Sequence, residues 1–428
     1  MPLVKEPFKP RRVNYFYHSI PKTNSYSVFL FHTKPAMSDI AHYFTPVNFD
    51  QVTENKELQE GQLGKDFSVF KEGGDFPELE NIDIAIIGVC EDRNAVNNEG
   101  CSLAPDTVRN FLYNLFSGNF ESKVADLGNI TAGHSVDDTY FALKSCVDHL
   151  VRNNIIPLII GGSQDLTYAQ FLGYKDLEQT INIASVDSVY DLGNPEEDIT
   201  NISYLGKIIL HQPNYLFNYS NIGYQTYLVS PASTAMMTKL YFDSYRLGQI
   251  RDKIEDAEPI IRQADMLSFD ITSIKHADAP ANPNASPNGL YAEEACQIMR
   301  YAGMSDKLTS LGIYEINPAF DVSGKTSHLA AQMIWCFMDG FYNRKNDFPS
   351  RTNPEYLRFN VVLQDEKYEI NFYKSKKSDR WWMEIPYPPH KGLKFERHTL
   401  IPCSYKDYEM AVKNEIPDRW WQTYQKLS

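Results

Sequence analysis

The sequence predicts an α/β fold in three layers, a mostly parallel sheet with helices on both faces. Three observations carry that expectation. From residue 82 onward, short apolar runs alternate with amphipathic helical stretches. Four of the apolar runs end in clusters of polar and acidic residues, as strands do when their carboxyl ends open onto a site. The chain has 428 residues, 43% hydrophobic and 22% charged, which is enough to bury a sizeable core.

Taken in order, the strand 82-IDIAIIGV-89 leads to a helix over 105–116 with Pro105 in its first turn. A helix over 137–154 feeds the apolar run 155-IIPLII-160, which closes on 161-GGSQD-165. A helix over 168–177, a strand over 181–187 and a strand over 224–229 come next. A long polar-faced helix is expected over roughly 241–264, then a strand over 266–271. The helix 291–303, the strand 309–316 and the helix 326–344 complete a main domain placed at 81–345.

The flanks read differently. Residues 1–36 carry Lys5, Lys9, Arg11, Arg12, Lys22 and Lys34 against Glu6 alone, in a chain of net charge -14. They are expected to be a basic arm or a mis-called start, since Met37 and Ser38 resemble a natural beginning with a helix cap. Residues 37–80 form an N-terminal extension. The segment 346–428 is rich in tryptophan and proline, and the phrases 379-DRWW-382 and 418-DRWW-421 hold four of the five tryptophans. Packing of those rings on the core is the expected use, with a subunit contact as the sharper alternative.

The acidic balance argues against nucleic acid or an anionic membrane as the main partner. No apolar run approaches the roughly 20 residues that span a bilayer, and no signal peptide is recognisable. Six cysteines without a C-x-x-C pair suggest reduced thiols in a cytoplasmic protein.

The four strand ends are 161-GGSQD-165, 187-DSVYD-191, 268-SFDIT-272 and 314-YEINP-318. Asp187, Asp191 and Asp270 converging in one pocket would repel unless a cation neutralises them, and an all-oxygen cluster suits Mg²⁺, Ca²⁺ or Mn²⁺. Strand-end aspartates also serve as caps for the helices that follow, so spacing alone leaves both readings open.

Five phrases, in order, resemble the ureohydrolase family of arginase, agmatinase and formimidoylglutamase. They are 87-IGVCEDRNAVNNEGCSLAPDTVR-109, 124-VADLGNITAG-133, 158-LIIGGSQDLTYA-169, 268-SFDITSIKHADAPANPNASPNGL-290 and 312-GIYEINPAFDVSGKTSHLAA-331. The resemblance covers roughly residues 80–345. It implies the arginase-like three-layer fold, a homo-oligomer and a site built for two Mn²⁺ ions that share a bridging hydroxide. The family writes its six metal ligands as Gly-Gly-Asp-His, Asp-Ala-His-x-Asp and Ser-x-Asp-x-Asp. Carried over, these fall on Gln164, on Asp187, Val189 and Asp191, and on Asp270 and Thr272. One cation would be left with Gln164, Asp187, Asp191 and Asp270, whereas Val189 and Thr272 spoil the second site.

A two-manganese centre is therefore not expected, and one divalent cation (Mg, Ca or Mn) remains possible. Lys275 stands where the family has an aspartate and could neutralise the orphan carboxylates without metal. The Ser-His-Gly phrase of the family is reduced to Ser203 followed by Tyr204, and the nearby His211 reads as core. Glu315 matches the glutamate that contacts the substrate's guanidinium end, kept either for a ligand or as a polar strand cap. Three functions stay open: a pseudoenzyme binding a small molecule or protein, a hydrolase of guanidino or formimidoyl compounds with a mononuclear centre, and a structural assembly subunit.

Overall fold

The apolar runs of the sequence become nine strands because their side chains alternate between two separate cores. Ile84 and Ile86 enter one core, whereas Ala85, Ile87 and Val89 enter the other. The computed structural model describes residues 40–427 apart from 122, 178, 195, 350–354, 364–367 and 388–394. The basic segment 1–36 lies outside the described residues.

The short helices α1 (Phe49–Val52) and α2 (Leu63–Asp66) and the strand β1 (Ser68–Val69) precede β2 (Ile84–Cys90) and α3 (Ala104–Leu112). Then follow β3 (Val124–Thr131), α4 (Val136–Arg152), β4 (Ile156–Ile160), α5 (Leu166–Leu172) and β5 (Ile181–Val186). The next stretch holds α6 (Tyr204–Leu210), β6 (Leu216–Tyr224), α7 (Pro231–Lys239), β7 (Asp243–Arg246), α8 (Leu247–Asp252) and α9 (Ala257–Gln263). The elements β8 (Met266–Asp270), α10 (Ala292–Gly303), β9 (Ser310–Tyr314) and α11 (Lys325–Tyr342) finish the main domain.

All nine strands run parallel, in the order β1-β3-β2-β4-β9-β8-β5-β6-β7. Helices α3, α9, α10 and α11 pack on one face, and α4, α5 and α6 on the other. This is the three-layer fold expected from the sequence.

Two of the expected elements do not form, and β1, β3, β7, α6 and α7 are unexpected. Residues 224–229 are not a strand: Tyr224 ends β6, and Leu228 then folds back onto the Gln225 carbonyl in a turn. The real strand hides in 216-LFNYSNIGY-224, whose two asparagine amide nitrogens and Ser220 are buried but bonded. Asn218 donates to Asp243 at 2.7 Å and Asn221 to the Val189 carbonyl at 2.7 Å. The helix expected over 241–264 breaks into β7, α8 and α9, because Lys253 leaves helical geometry at φ -148° and ψ 88°.

A buried ion pair ties α3 to β3. Arg109 donates through Nε and Nη2 to both oxygens of Asp126, each at 2.8 Å, and neither side chain reaches solvent. Arg109 also bonds the Gly128 carbonyl at 2.9 Å, and Tyr113 donates to Asp126 at 2.9 Å.

The C-terminal segment builds a second, antiparallel sheet of β10 (Tyr356–Leu363), β11 (Tyr368–Ser375), β12 (Trp381–Glu384) and β13 (Leu400–Cys403). The helices α12 (Tyr405–Val412) and α13 (Asp418–Leu427) complete it. Trp381, Trp382 and Trp420 are buried, while Trp421 is partly exposed. The sheet docks beside the amino ends of β5 and β8. There Arg262 bonds the Trp381 carbonyl at 3.2 Å and lies 4.3 Å over the Trp382 ring. His398 stacks on Phe217 at 3.9 Å and meets the Thr180 hydroxyl at 3.0 Å.

Two predictions follow from this packing. Arg109→Leu leaves Asp126 charged, buried and unpaired, and should cost about 3–5 kcal/mol in urea unfolding. A loss under about 1 kcal/mol would show that the pair does not hold α3 to β3. His398 is held well below the ordinary histidine range by burial, then by Lys307 and Arg397. The folded chain thus refuses a proton that the unfolded chain takes near pH ~6.5. Its contribution is complete above that pH and is lost as pH falls below it. The melting temperature should drop more steeply from pH 7 to pH 5 in the wild type than in His398→Gln, and equal slopes would reject this origin.

Candidate functional site

Four neighbouring strands in the middle of the sheet, β4, β9, β8 and β5, deliver the candidate residues. Each ends at the same edge, so Gln164, Glu315, Asp270, Asp187 and Asp191 come together just past the carboxyl ends. The paired glycines at 161 and 162 are required by close approach. A Cβ on Gly162 would lie 1.9 Å from the Glu91 carbonyl oxygen, and one on Gly161 would lie 2.4 Å from the Tyr314 ring.

Asp187, Asp191, Asp270 and Glu315 are all buried. Burial raises the proton affinity of each carboxyl. For Asp191 the charges of Asp187, Asp270 and Glu315 raise it further, and Asp187 and Asp191 are hydrogen-bonded to each other. For Asp270 the added repulsion comes from Asp187 and Glu315. Among the described residues, no arginine, lysine or histidine pairs with any of the four. Two of these residues sit in left-handed backbone, Asp191 at φ 48° and Glu315 at φ 72°, the kind of strain that collects at working sites.

Local hydrogen bonds fix each side chain. Asp187 Oδ1 accepts from the Val189 N–H at 2.9 Å, and Asp270 Oδ1 from the Thr272 N–H at 2.7 Å. Gln164 points its amide nitrogen at Tyr204 Oη (3.2 Å), Asp187 Oδ2 (3.4 Å) and Ser268 Oγ (3.4 Å). Asp187 and Asp270 thus each accept from the backbone of the turn that follows its strand, as the cap reading expects.

Glu315 is held by asparagines. Oε1 accepts from the Gln164 N–H at 2.8 Å and from Asn201 at 3.1 Å; Oε2 accepts from Asn98 at 2.7 Å and from Asn282 at 3.3 Å. The sequence reading missed Asn98, Asn201, Asn282 and Tyr204. The asparagine-rich run 94-NAVNN-98 was the available signal.

Lys275 does not neutralise the aspartates. Its ammonium reaches Asp278 at 3.4 Å and lies 3.8 Å above the Tyr291 ring, because its backbone is pinned beside Leu290 instead. His211 meets the Tyr168 hydroxyl at 3.3 Å and packs edge-on to Phe171. Ser203 is used within its own turn, bonding Thr200.

Three carboxylates and an amide oxygen make a donor set for one hard cation. Among the described residues, however, no three Asp, Glu, His or Cys side chains close around one point as a finished metal cage. At the positions where the family resemblance puts the second ion's own ligands stand Val189, whose side chain has no lone pair, and Thr272, a neutral hydroxyl in place of a carboxylate. No described helix is long and apolar enough to cross a membrane.

The chain is similar to known proteins over the same region. Formimidoylglutamase from Staphylococcus haemolyticus is 27% identical over 283 residues, covering 61% of this chain and 90% of the relative. That from Bacillus subtilis is 24% identical over 274 residues, covering 58% and 84%. The crystal structure of Trypanosoma cruzi formiminoglutamase with Mn²⁺ superposes with a TM-score of 0.58 at 22% identity, covering 63% of this chain and all of that one. The arginase-family pattern matches residues 82–339, more than half of the chain and including every strand end of the site, and so this protein belongs to the arginase family.

Proposed function

We propose that this is a formimidoylglutamase-like member of the arginase family whose site holds a single divalent cation and has lost binuclear manganese catalysis. Asp187, Asp191 and Asp270 would hold the ion, with the Gln164 amide oxygen as fourth donor. The observation that carries the reading is the pairing of buried, uncompensated carboxylates with Val189 and Thr272 at the second position. A bound cation supplies charge compensation and Lewis acidity there. Gln164 presents its nitrogen toward Asp187, so holding an ion requires the amide to turn over and offer its oxygen. Mg²⁺, Ca²⁺ and Mn²⁺ all suit such oxygen donors.

A second reading is favoured by Glu315, which stays buried beside the aspartates where the family contacts substrate. On this reading the protein hydrolyses a C–N bond of a linear amidine, a guanidino or formimidoyl compound, with a mononuclear centre.

Metal analysis of the purified protein, paired with assays for urea, formamide and ammonia release, separates the two. One equivalent of cation without turnover is expected. One equivalent with turnover selects the hydrolase, and two equivalents of manganese with turnover overturn both. Asp187→Ala should weaken cation affinity by at least about 10-fold in calorimetric titration. Unchanged affinity would place the ion elsewhere. The triple variant Gln164→His, Val189→His, Thr272→Asp should raise manganese stoichiometry from one to two, and a stoichiometry still at one would show that ligand identity alone does not explain the loss.

A further inference from the structure

The helices α10 and α11 lie side by side on one face of the sheet, and three successive rungs fix their register. At the carboxyl end Gly303 meets Gly340: a Cβ on Gly303 would come within 2.0 Å of the Phe337 carbonyl and 3.0 Å of the Gly340 Cα. One step back, Arg300 Nε donates to Asp339 at 2.7 Å. One step further back stand Cys296 on α10 and Cys336 on α11. Residue numbers rise together along both helices, as expected for parallel neighbours, and the glycine contact brings the backbones unusually close. The two thiols are neighbours that shift each other's ionisation.

Both sulfur-bearing residues are half-buried, and both line one surface cavity of about 300 Å³ with Leu115, Phe116, Gln332 and Trp335. That opening gives a small reagent a route to them. The other cysteines lack this combination. Cys101, Cys146 and Cys403 are buried. Cys90 is half-buried, but burial pushes its thiol up to about 11. Cys336 moves the other way, because the neighbouring Cys296 thiol favours its thiolate.

We propose that Cys296 and Cys336 form a peroxide-oxidisable dithiol that closes into a disulfide between α10 and α11. The Cys336 thiolate attacks the terminal oxygen of a hydroperoxide. An S–O bond forms, the O–O bond breaks, and the departing oxygen leaves as an alcohol, or as water from hydrogen peroxide, taking up the proton that Cys336 released on becoming a thiolate. The Cys296 sulfur then displaces hydroxide from the Cys336 sulfenic acid, and its own proton completes a second water. The two cysteines lose two electrons and two protons, and the peroxide gains both. The proposal is independent of how the carboxylate site is read, since none of its atoms takes part.

The test is stepwise hydrogen peroxide on the full chain, followed by alkylation of remaining thiols and peptide mass mapping. A 296–336 cross-linked peptide should appear first and vanish with dithiothreitol. Cys296→Ser should stop at a Cys336 sulfenic acid that dimedone traps. Cys336→Ser should leave Cys296 alkylatable, its oxidation slowed on the order of 10-fold. Circular dichroism on both variants shows whether they are folded, and the wild-type map decides the matter even if they are not. Oxidation of Cys90 ahead of the pair would overturn the proposal, as would Cys336 passing to sulfinic acid with no cross-link. Equal oxidation of Cys296 in Cys336→Ser would overturn the assigned order of attack.

Discussion

Four carboxylates buried at one edge of a parallel sheet, without a protein cation among the described residues, set the terms for everything around them. Taking a charge out of water is expensive, and like charges at short range add to the cost. The protein answers each carboxyl separately. Glu315 has both oxygens covered by neutral donors from three asparagines and one backbone N–H. Asp187 and Asp191 bond to each other, an arrangement in which one of the two carries the shared proton. Asp270 receives the N–H of Thr272. None of these answers removes the charge repulsion altogether, and that remaining repulsion is what supports the cation we propose for the site.

The scaffold can bear this cost because the strands that carry the carboxylates are locked in the centre of the sheet. The elements β4, β9, β8 and β5 each have a parallel neighbour on both sides. Two left-handed residues, Asp191 and Glu315, are tolerated at the strand ends for the same reason, each such residue costing on the order of 1–3 kcal/mol. The glycines at 161 and 162 let β4 turn against Glu91 and Tyr314 without displacing either. Asn98, Asn201 and Asn282 arrive on three different loops, so the same bonds that satisfy Glu315 also tie those loops over the strand ends.

Most of the sheet was legible in the sequence because its central strands are plain apolar runs, such as 155-IIPLII-160, bounded by glycine or acid. The strand β6 was not, because Asn218, Ser220 and Asn221 give it the texture of a loop, and only their tertiary partners, Asp243 and the Val189 carbonyl, make burial tolerable. The aspartate positions could be placed from their phrases. The asparagine cradle could not, since its members are brought together from sites as far apart in the chain as 98 and 315. Lys275 shows the opposite limit. Its position suggested a counter-ion, but the direction of a long side chain is decided by its neighbours, here Asp278 and Tyr291.

The placement of the cations completes the argument. Lys307, Arg397 and Arg262 gather at the other end of the same strands, around Asp265 and the entrances to β5 and β8, where the C-terminal sheet docks. Burial pushes Lys307 down to about 8, yet it still pairs with Asp265 at 3.4 Å. Positive charge is thus spent on fastening the second sheet, and negative charge is concentrated at the carboxyl ends. A strand of five residues is roughly 17 Å long, and over that distance two unit charges interact by only about 1 kcal/mol at an effective dielectric of about 20, against about 4 kcal/mol at 4 Å. The docking cations therefore do little to relieve the carboxylates. The tail stabilises the domain without quenching its site, and the demand for a counter-ion is left to whatever enters at the strand ends.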